Sequence, residues 1–142
     1  MRKRRERQDA IRRVVRAERV RTQRALVDHL KETGYVCTQA TVSRDITEMG
    51  LKKLPEGVYV LAEDLHLQRM VSDLVIDVKS SDNLVLVKAQ AGTAPGVAAA
   101  LDAADITGIL GSVSGDDTIL VITEGREQAL ALIDTLDKFR GA

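Results

Sequence analysis

Two adjacent carboxylates, Asp116 and Asp117, follow Gly115 between two segments that are predicted as strands. Asp tolerates turn geometry and bonds its own backbone, so the simplest interpretation of this site is a tight turn. The alternative is a binding site for a cation, because two carboxylates at a strand end present a fork. A planar guanidinium with five donors fits such a fork better than an ammonium does. The residues alone leave both interpretations open.

Residues 38–50 have the composition of a helix that reads the DNA major groove. At about 100° per residue, Val42, Ile46 and Met49 share one apolar face. Arg44 points the other way and can make a bidentate contact with guanine, while neighbouring hydroxyl and amide groups suit base edges or phosphates. The candidate DNA contacts on this helix and just after it are Gln39, Thr41, Ser43, Arg44, Thr47, Lys52 and Lys53.

The elements around this helix have the order of a winged helix-turn-helix. Periodicity predicts a first helix over residues 5–17, and a second that is capped by Thr22 and ends at Gly34. Residues 51–61 predict a β-hairpin. A three-helix packing module that binds no DNA is the alternative. Besides Lys52 and Lys53, the basic residues expected to hold the DNA backbone are Arg2, Lys3, Arg4, Arg5 and Arg7.

The formal net charge of zero conceals an uneven distribution. Residues 1–60 hold 15 Lys and Arg against 8 Asp and Glu, whereas residues 61–142 hold 6 against 13. This split favours an N-terminal half that faces nucleic acid and a C-terminal half that does not. Aromatic residues make up only 2% of the chain, so the core must be aliphatic. Two small aliphatic cores favour stabilisation by oligomerisation.

Several other classes of site are not supported by the sequence. Cys37 is a lone cysteine, which is typical of a small buried hydrophobe, and His29 and His66 have no third ligand nearby for a metal. No apolar stretch approaches the roughly 18 residues of a membrane span, and the basic N-terminus lacks the apolar region of a signal peptide. We therefore expect a cytoplasmic protein without a metal.

The C-terminal half alternates between strands and helices in the order β-β-α-β-β-α. We expect an α+β fold, in which a mainly antiparallel four-stranded sheet carries its helices on one face. The other face would need a cover, and a partner subunit is the natural candidate. The predicted strands are 74–78, 84–87, 109–113 and 118–123, and the predicted helices are 97–103 and 126–139. The residues predicted to face inward on the last helix are Ala129, Leu130, Leu132, Ile133 and Leu136.

These predictions give a two-domain organisation. Residues 1–64 form the winged helix-turn-helix domain, residues 65–71 a linker or short helix, and residues 72–142 a domain for ligand binding and oligomerisation.

Two blocks of the chain resemble the bacterial arginine repressors. Residues 38–46, with Thr22-Gln23 and residues 51–59, closely resemble the family's DNA-binding domain. Gly92, Ala94, Leu101-Asp102 and residues 109–119 resemble its arginine-binding segment, in the right order. The resemblance implies a repressor of arginine biosynthesis genes, which can also activate arginine catabolism. It further implies operator DNA as partner, L-arginine as co-repressor and a homo-hexamer built from two trimers.

The resemblance also implies roles for single residues. Ser43 and Arg44 would contact the operator. Asp116 and Asp117 would hold the guanidinium of arginine between the trimers, one of them from the facing trimer, while Asp102 would help to hold the α-amino group and Ala94 would line the site. Pro95 is a departure, because relatives commonly place a polar Gln or His there. Proline has no side-chain donor and no N–H, so that contact is missing or comes from the backbone.

Three rival functions remain at this stage. An enzyme could use Asp116 and Asp117 as an acid-base dyad, but no nucleophile or metal set lies in that block. An architectural DNA-binding protein would use its C-terminal half for oligomerisation alone. The same fold could also sense another small amino acid, such as lysine or ornithine.

Overall fold

The computed structural model describes residues 2–141 and divides into two compact units, Met1–Ala62 and Glu63–Ala142. The first unit contains three helices followed by a short antiparallel hairpin, the order of a winged helix-turn-helix. Its elements are α1 (Arg2–Ala17), α2 (Gln23–Glu32), α3 (Gln39–Met49), β1 (Lys52–Lys53) and β2 (Tyr59–Val60).

The helix boundaries of this unit are set by local capping. The hydroxyl of Thr22 accepts a hydrogen bond from Ala25 N (3.0 Å), and that of Thr38 accepts one from Thr41 N (3.2 Å). Gly50 ends α3 with φ +68°, a left-handed conformation that glycine adopts without a Cβ clash. The predicted bounds of α2 and α3 are thereby confirmed, whereas α1 begins at Arg2 instead of residue 5.

An aliphatic core joins the helices and the hairpin of the first unit. Ile11 of α1, Leu26 and Leu30 of α2, and Val42 of α3 are fully buried. The hairpin is tied to the chain after α1, because Tyr59 N donates to Val20 O (2.8 Å). The arrangement buries one stripe of α3 and leaves the opposite stripe in solvent.

The second unit is an α+β domain, as predicted, with a four-stranded antiparallel sheet in the order β3-β4-β6-β5. A short 3-10 helix (Ala62–Asp64) precedes α4. The remaining elements are α4 (Leu65–Leu74), β3 (Val75–Ser81), β4 (Leu84–Ala89), α5 (Ala94–Ala104), β5 (Ile109–Ser114), β6 (Thr118–Thr123) and α6 (Arg126–Arg140).

One face of the sheet is covered by α5 and α6. Side chains alternate along the central strands, so Val87 of β4 and Ile119 of β6 are buried beneath these helices. The other face, the open sheet face, includes Leu86 of β4 (43% exposed), Val113 of β5 (62% exposed) and Leu120 of β6. The helices do lie on one face, as the sequence predicts.

The second unit differs from the sequence prediction in several element bounds and in one side chain. Helix α5 begins at Ala94 instead of residue 97, three residues earlier than predicted. Leu74, predicted as the first residue of a strand, is instead the last residue of helix α4. Strand β3 continues to Ser81, so a turn at Asp82 and Asn83 replaces the predicted five-residue loop. Leu130, predicted to face inward, is 48% exposed. The buried stripe of α6 instead runs from Ala129 to Phe139 at helical spacing, and Leu130 lies about 100° off it.

Residues 65–71, expected as a linker or short helix, form most of α4. This helix packs on α5 and α6, and its Leu67 and Val71 are buried.

Candidate DNA interface and ligand site

The outer stripe of α3 carries polar side chains that are open to solvent. Gln39, Arg44 and Thr47 are exposed, and Ser43 is half-buried beside them. Within the described residues, Arg44 has no hydrogen bond or ion pair, so its guanidinium is free to meet a partner. This is the arrangement that the helical periodicity predicts for a helix in the major groove.

Some of the predicted DNA contacts on α3 already have partners inside the helix. The Thr41 hydroxyl lies 3.0 Å from the capping hydroxyl of Thr38, and the Thr47 hydroxyl donates to Ser43 O at 3.2 Å. Hydroxyls can accept a second hydrogen bond while donating the first. The side chains of Gln39, Ser43 and Arg44 have no hydrogen-bond partner among the described residues.

The hairpin places two cations next to this helix in the chain. Lys52 and Lys53 form β1 and both are exposed. The Lys53 ammonium lies 5.0 Å from the centre of the Tyr59 ring on the paired strand, within cation–π range. Lys53 is thus oriented by the hairpin, whereas Lys52 has no such contact among residues 2–141.

The inner side of α3 carries a buried carboxylate that the sequence analysis missed. Asp45 Oδ1 accepts hydrogen bonds from Arg7 Nη2 (2.9 Å) and Gln8 Nε2 (3.0 Å), while Asp45 Oδ2 accepts from Arg7 Nε. Burial opposes ionisation of Asp45, but the hydrogen bonds from Arg7 and Gln8 and the Arg7 charge outweigh it and lower its pKa. Asp45 is consequently an ionised anchor between α1 and α3.

These contacts change the interpretation of the N-terminal basic cluster. Arg7, expected to hold the DNA backbone, is instead committed to Asp45. Arg4 pairs with Glu48, which also accepts from Gln8 (3.0 Å), although Arg4 stays half-exposed. Lys3 and Arg5 remain exposed, and the Arg2 side chain lies outside the described part of the structure.

The acidic pair of the second unit lies in the turn between β5 and β6, and backbone bonds fix it on two sides. Asp116 O accepts from Ala94 N at the start of α5 (3.1 Å). Asp117 O accepts from Ala89 N at the end of β4 (2.7 Å). The structure therefore confirms that Asp116 and Asp117 lie in a turn between two strands. The same bonds fix the backbone of both residues where the turn meets the end of β4 and the start of α5.

The two carboxylates of this turn differ in their surroundings. Asp117 Oδ1 accepts from the Thr118 hydroxyl (2.8 Å), and its Oδ2 lies 3.2 Å from Lys88 Nζ. The hydrogen bond from Thr118, together with Lys88, lowers the pKa of Asp117. Asp116 is exposed and has no side-chain partner within residues 2–141.

The other predicted ligand residues lie on α5. Ala94 is fully buried, and its N–H is used by Asp116 O, so it offers neither a donor nor an open side chain. Pro95 is exposed in the first turn of α5. Asp102 is exposed near the end of the helix, roughly 12 Å along the axis from Ala94 at 1.5 Å per residue.

Cys37 and the two histidines are the other residues that the sequence analysis singles out. Cys37 packs against the core of the first unit, and burial raises the pKa of its thiol. Residues 2–141 contain no cluster of three His, Cys, Asp or Glu side chains placed to hold a metal. The described helices include none that is long and apolar enough to cross a membrane.

Two polar side chains that sequence reasoning missed, Asp45 and Lys88, left different signals. At about 100° per residue, Asp45 lies about 60° from Val42 and about 40° from Met49 on the helical wheel, so periodicity alone already places a carboxylate at the edge of the apolar face. Lys88 contacts Asp117 because β4 pairs with β6, and local sequence patterns do not predict which strands pair.

Family comparisons match both units. Residues 2–67 match the family model described as "Arginine repressor, DNA binding domain", and residues 71–138 match "Arginine repressor, C-terminal domain". The chain belongs to the arginine repressor family. The Arginine repressor of Pelotomaculum thermopropionicum is 42% identical over 146 residues, which cover 95% of this chain and 97% of that protein. The Arginine repressor of Thermus thermophilus is 44% identical over 140 residues, 91% of this chain and 85% of the relative.

Membership of the arginine repressor family confirms the resemblance found in the sequence and assigns the winged helix-turn-helix to DNA binding. The relatives are named as repressors, which agrees with the prediction of a regulator and not of an enzyme.

Proposed function

We propose that this protein represses transcription of arginine biosynthesis genes by binding operator DNA, with L-arginine as its co-repressor. The observation that carries the proposal is that Arg44 on α3 and Asp116 in the turn between β5 and β6 both expose a charged side chain that lacks a partner among residues 2–141. The first suits a guanine edge and the second a cationic ligand. Because a DNA-binding repressor must reach the chromosome, the proposed location of the protein is the cytoplasm.

On DNA, α3 enters the major groove with Arg44 and Ser43 toward base edges. Gln39, Thr41 and Thr47 contact bases or phosphates nearby, and Lys52 and Lys53 hold the backbone. The contacts of Arg44 and Ser43 carry sequence information, whereas those of the two lysines supply salt-sensitive affinity.

In the ligand site, Asp116 and Asp117 share the guanidinium of arginine, with one of the two coming from a facing subunit. Asp102 holds the α-amino group, and the buried Ala94 contributes indirectly, because its N–H donates to Asp116 O. The exposed Pro95 contributes shape but no donor. Two carboxylates that point into one site repel each other, and a bound guanidinium relieves that repulsion.

We further propose that the active form is a homo-hexamer of two trimers. The open sheet face, with Leu86, Val113 and Leu120, supports association, because apolar side chains on a sheet gain from being covered. If arginine binds between subunits, ligand binding and assembly strengthen each other by the same factor.

The ligand assignment is tested with Asp116→Asn combined with Asp117→Asn. Each charge-assisted hydrogen bond contributes about 1.5–3 kcal/mol, so we expect the affinity for L-arginine to fall by at least about 100-fold. Calorimetry with L-arginine, L-lysine, L-ornithine and uncharged L-citrulline measures this loss and the ligand preference.

The matched control for this double variant is Glu127→Gln with Asp134→Asn, which removes two exposed carboxylates from α6 of the same unit. The control should bind L-arginine like the wild type. Retained wild-type affinity in the Asp116/Asp117 variant would reduce the acidic pair to a structural turn. A stronger response to lysine or ornithine than to arginine would assign a different effector.

A further inference from the structure

Lys88 of β4 is distant in sequence from the acidic turn at Asp116 and Asp117, but its side chain contacts that turn. It lies on the open sheet face of β4, opposite Thr118 of β6 in the antiparallel register. Its ammonium lies 3.2 Å from Asp117 Oδ2 and donates to the Thr118 hydroxyl at 3.2 Å. The pairing of the two strands thus delivers an ammonium to the carboxylate that is proposed to receive a ligand guanidinium.

This contact changes the charge that the site presents. The turn holds two carboxylates, but Lys88 offsets the charge of Asp117, and Asp116 alone is left without a counter-ion among residues 2–141. An incoming cation therefore meets one free carboxylate and one that is already engaged. To use both oxygens of Asp117, it must compete with the Lys88 ammonium.

A second carboxylate lies within reach of Lys88 on the same face. Asp77 of β3 is the direct cross-strand partner of Lys88, and facing residues of antiparallel strands have Cβ atoms about 5 Å apart. Asp77 now has an exposed contact of 3.6 Å with Lys79. Lys88 can therefore exchange one carboxylate for another by rotating its flexible side chain, without any movement of the backbone.

We propose that Lys88 is the resident counter-ion of the ligand site, holding Asp117 while the site is empty and turning toward Asp77 when a ligand guanidinium takes that carboxylate. This inference rests on the proposed function, since it assigns Lys88 to the same ligand site. Lys88 then acts as an internal competitor that raises the concentration at which the ligand is sensed.

The size of the effect follows from the exposure of the pair. The Lys88 and Asp117 side chains are 50% and 45% exposed, so their ion pair is a surface pair and its competition is modest. Lys88→Met should bind L-arginine about two- to fivefold more tightly than the wild type. Lys88→Arg keeps a cation at the site and should show no such gain.

The experiment is calorimetry with L-arginine on the full-length wild type, Lys88→Met and Lys88→Arg. Arg126→Met is the matched control, because Arg126 is an exposed cation of the same unit at the other end of β6 from Asp117. A tighter Lys88→Met with an unchanged Arg126→Met supports the inference. Unchanged or weaker binding by Lys88→Met, or an equal gain in Arg126→Met, overturns it.

The outcomes separate this inference from the proposed function. If the wild type does not bind L-arginine, the proposed ligand is wrong and the competition fails with it. If the wild type binds and Lys88→Met gains nothing, only the role of Lys88 is overturned. Carboxyl-carbon NMR titration of Asp117 gives an independent readout: its pKa should rise in Lys88→Met, and an unchanged pKa would contradict the pairing.

Discussion

Arg7 of α1 and Asp45 of α3 form a two-point ion pair behind the recognition helix. Both Asp45 oxygens are used, and the two side chains are only 20% and 2% exposed. Apolar contacts such as those of Val42 allow some sliding and rotation, whereas a bidentate guanidinium–carboxylate pair fixes direction. This pair therefore sets how α3 presents Arg44 on its opposite face.

Removing Arg7 should destabilise the DNA-binding unit. In Arg7→Ala the buried Asp45 keeps only the Gln8 amide, and leaving a buried charge without its partner costs about 3 kcal/mol. Urea unfolding measures the loss. Arg13→Ala, an exposed arginine of the same helix, is the control and should change stability by less than about 0.5 kcal/mol. Equal stability of the two variants would show that the pair contributes nothing.

The same pair predicts a pH dependence. The pKa of Asp45 is lower in the folded state than its usual value, so its stabilising contribution is complete at neutral pH. It is lost as the pH falls below the usual Asp pKa and through the lowered value. Between pH 7 and pH 3, the free energy of unfolding should therefore fall more steeply in the wild type than in Asp45→Asn. Parallel curves would assign the acid sensitivity to other carboxylates.

Arg44 and Lys53 should have separable effects on DNA binding. Arg44→Ala should cost about 1–3 kcal/mol per site and relax sequence preference, because a base contact is lost. Lys53→Ala should weaken all duplexes alike and reduce the slope of log affinity against log salt by about one. The probes are a duplex selected by the wild type from a random pool and an unselected duplex. An unchanged preference in Arg44→Ala would remove α3 as the reading helix.

The open sheet face should be the surface through which copies of the chain associate. Leu86→Glu with Val113→Glu places two charges on apolar positions that are exposed in the monomer, so folding should survive while assembly is lost. Sedimentation velocity measures the assembly state. Leu130→Glu, an equally exposed leucine on α6, is the control and should assemble like the wild type. Dissociation of the control alone would move the interface to the helical side.

The sequence alone determined the features that depend on near neighbours in the chain. The boundaries of α2 and α3 follow from Thr22, Thr38 and Gly50, because caps act within one turn of the helix. The exposed position of Arg44 follows from helical periodicity. Local patterns also predict the order of strands and helices in the second unit and the acidic turn at Asp116 and Asp117.

Only the tertiary structure decided which distant charges meet. Arg7 and Asp45 are 38 residues apart, and Lys88 and Asp117 are joined by the pairing of β4 with β6. Without knowledge of these contacts, the sequence predicts that Arg7 binds a DNA phosphate and that Asp117 has no counter-ion within the chain. Local propensity fixes a residue's helix or strand and its face. Its partner depends on packing between elements, because a charge contributes most where burial and a facing counter-ion coincide.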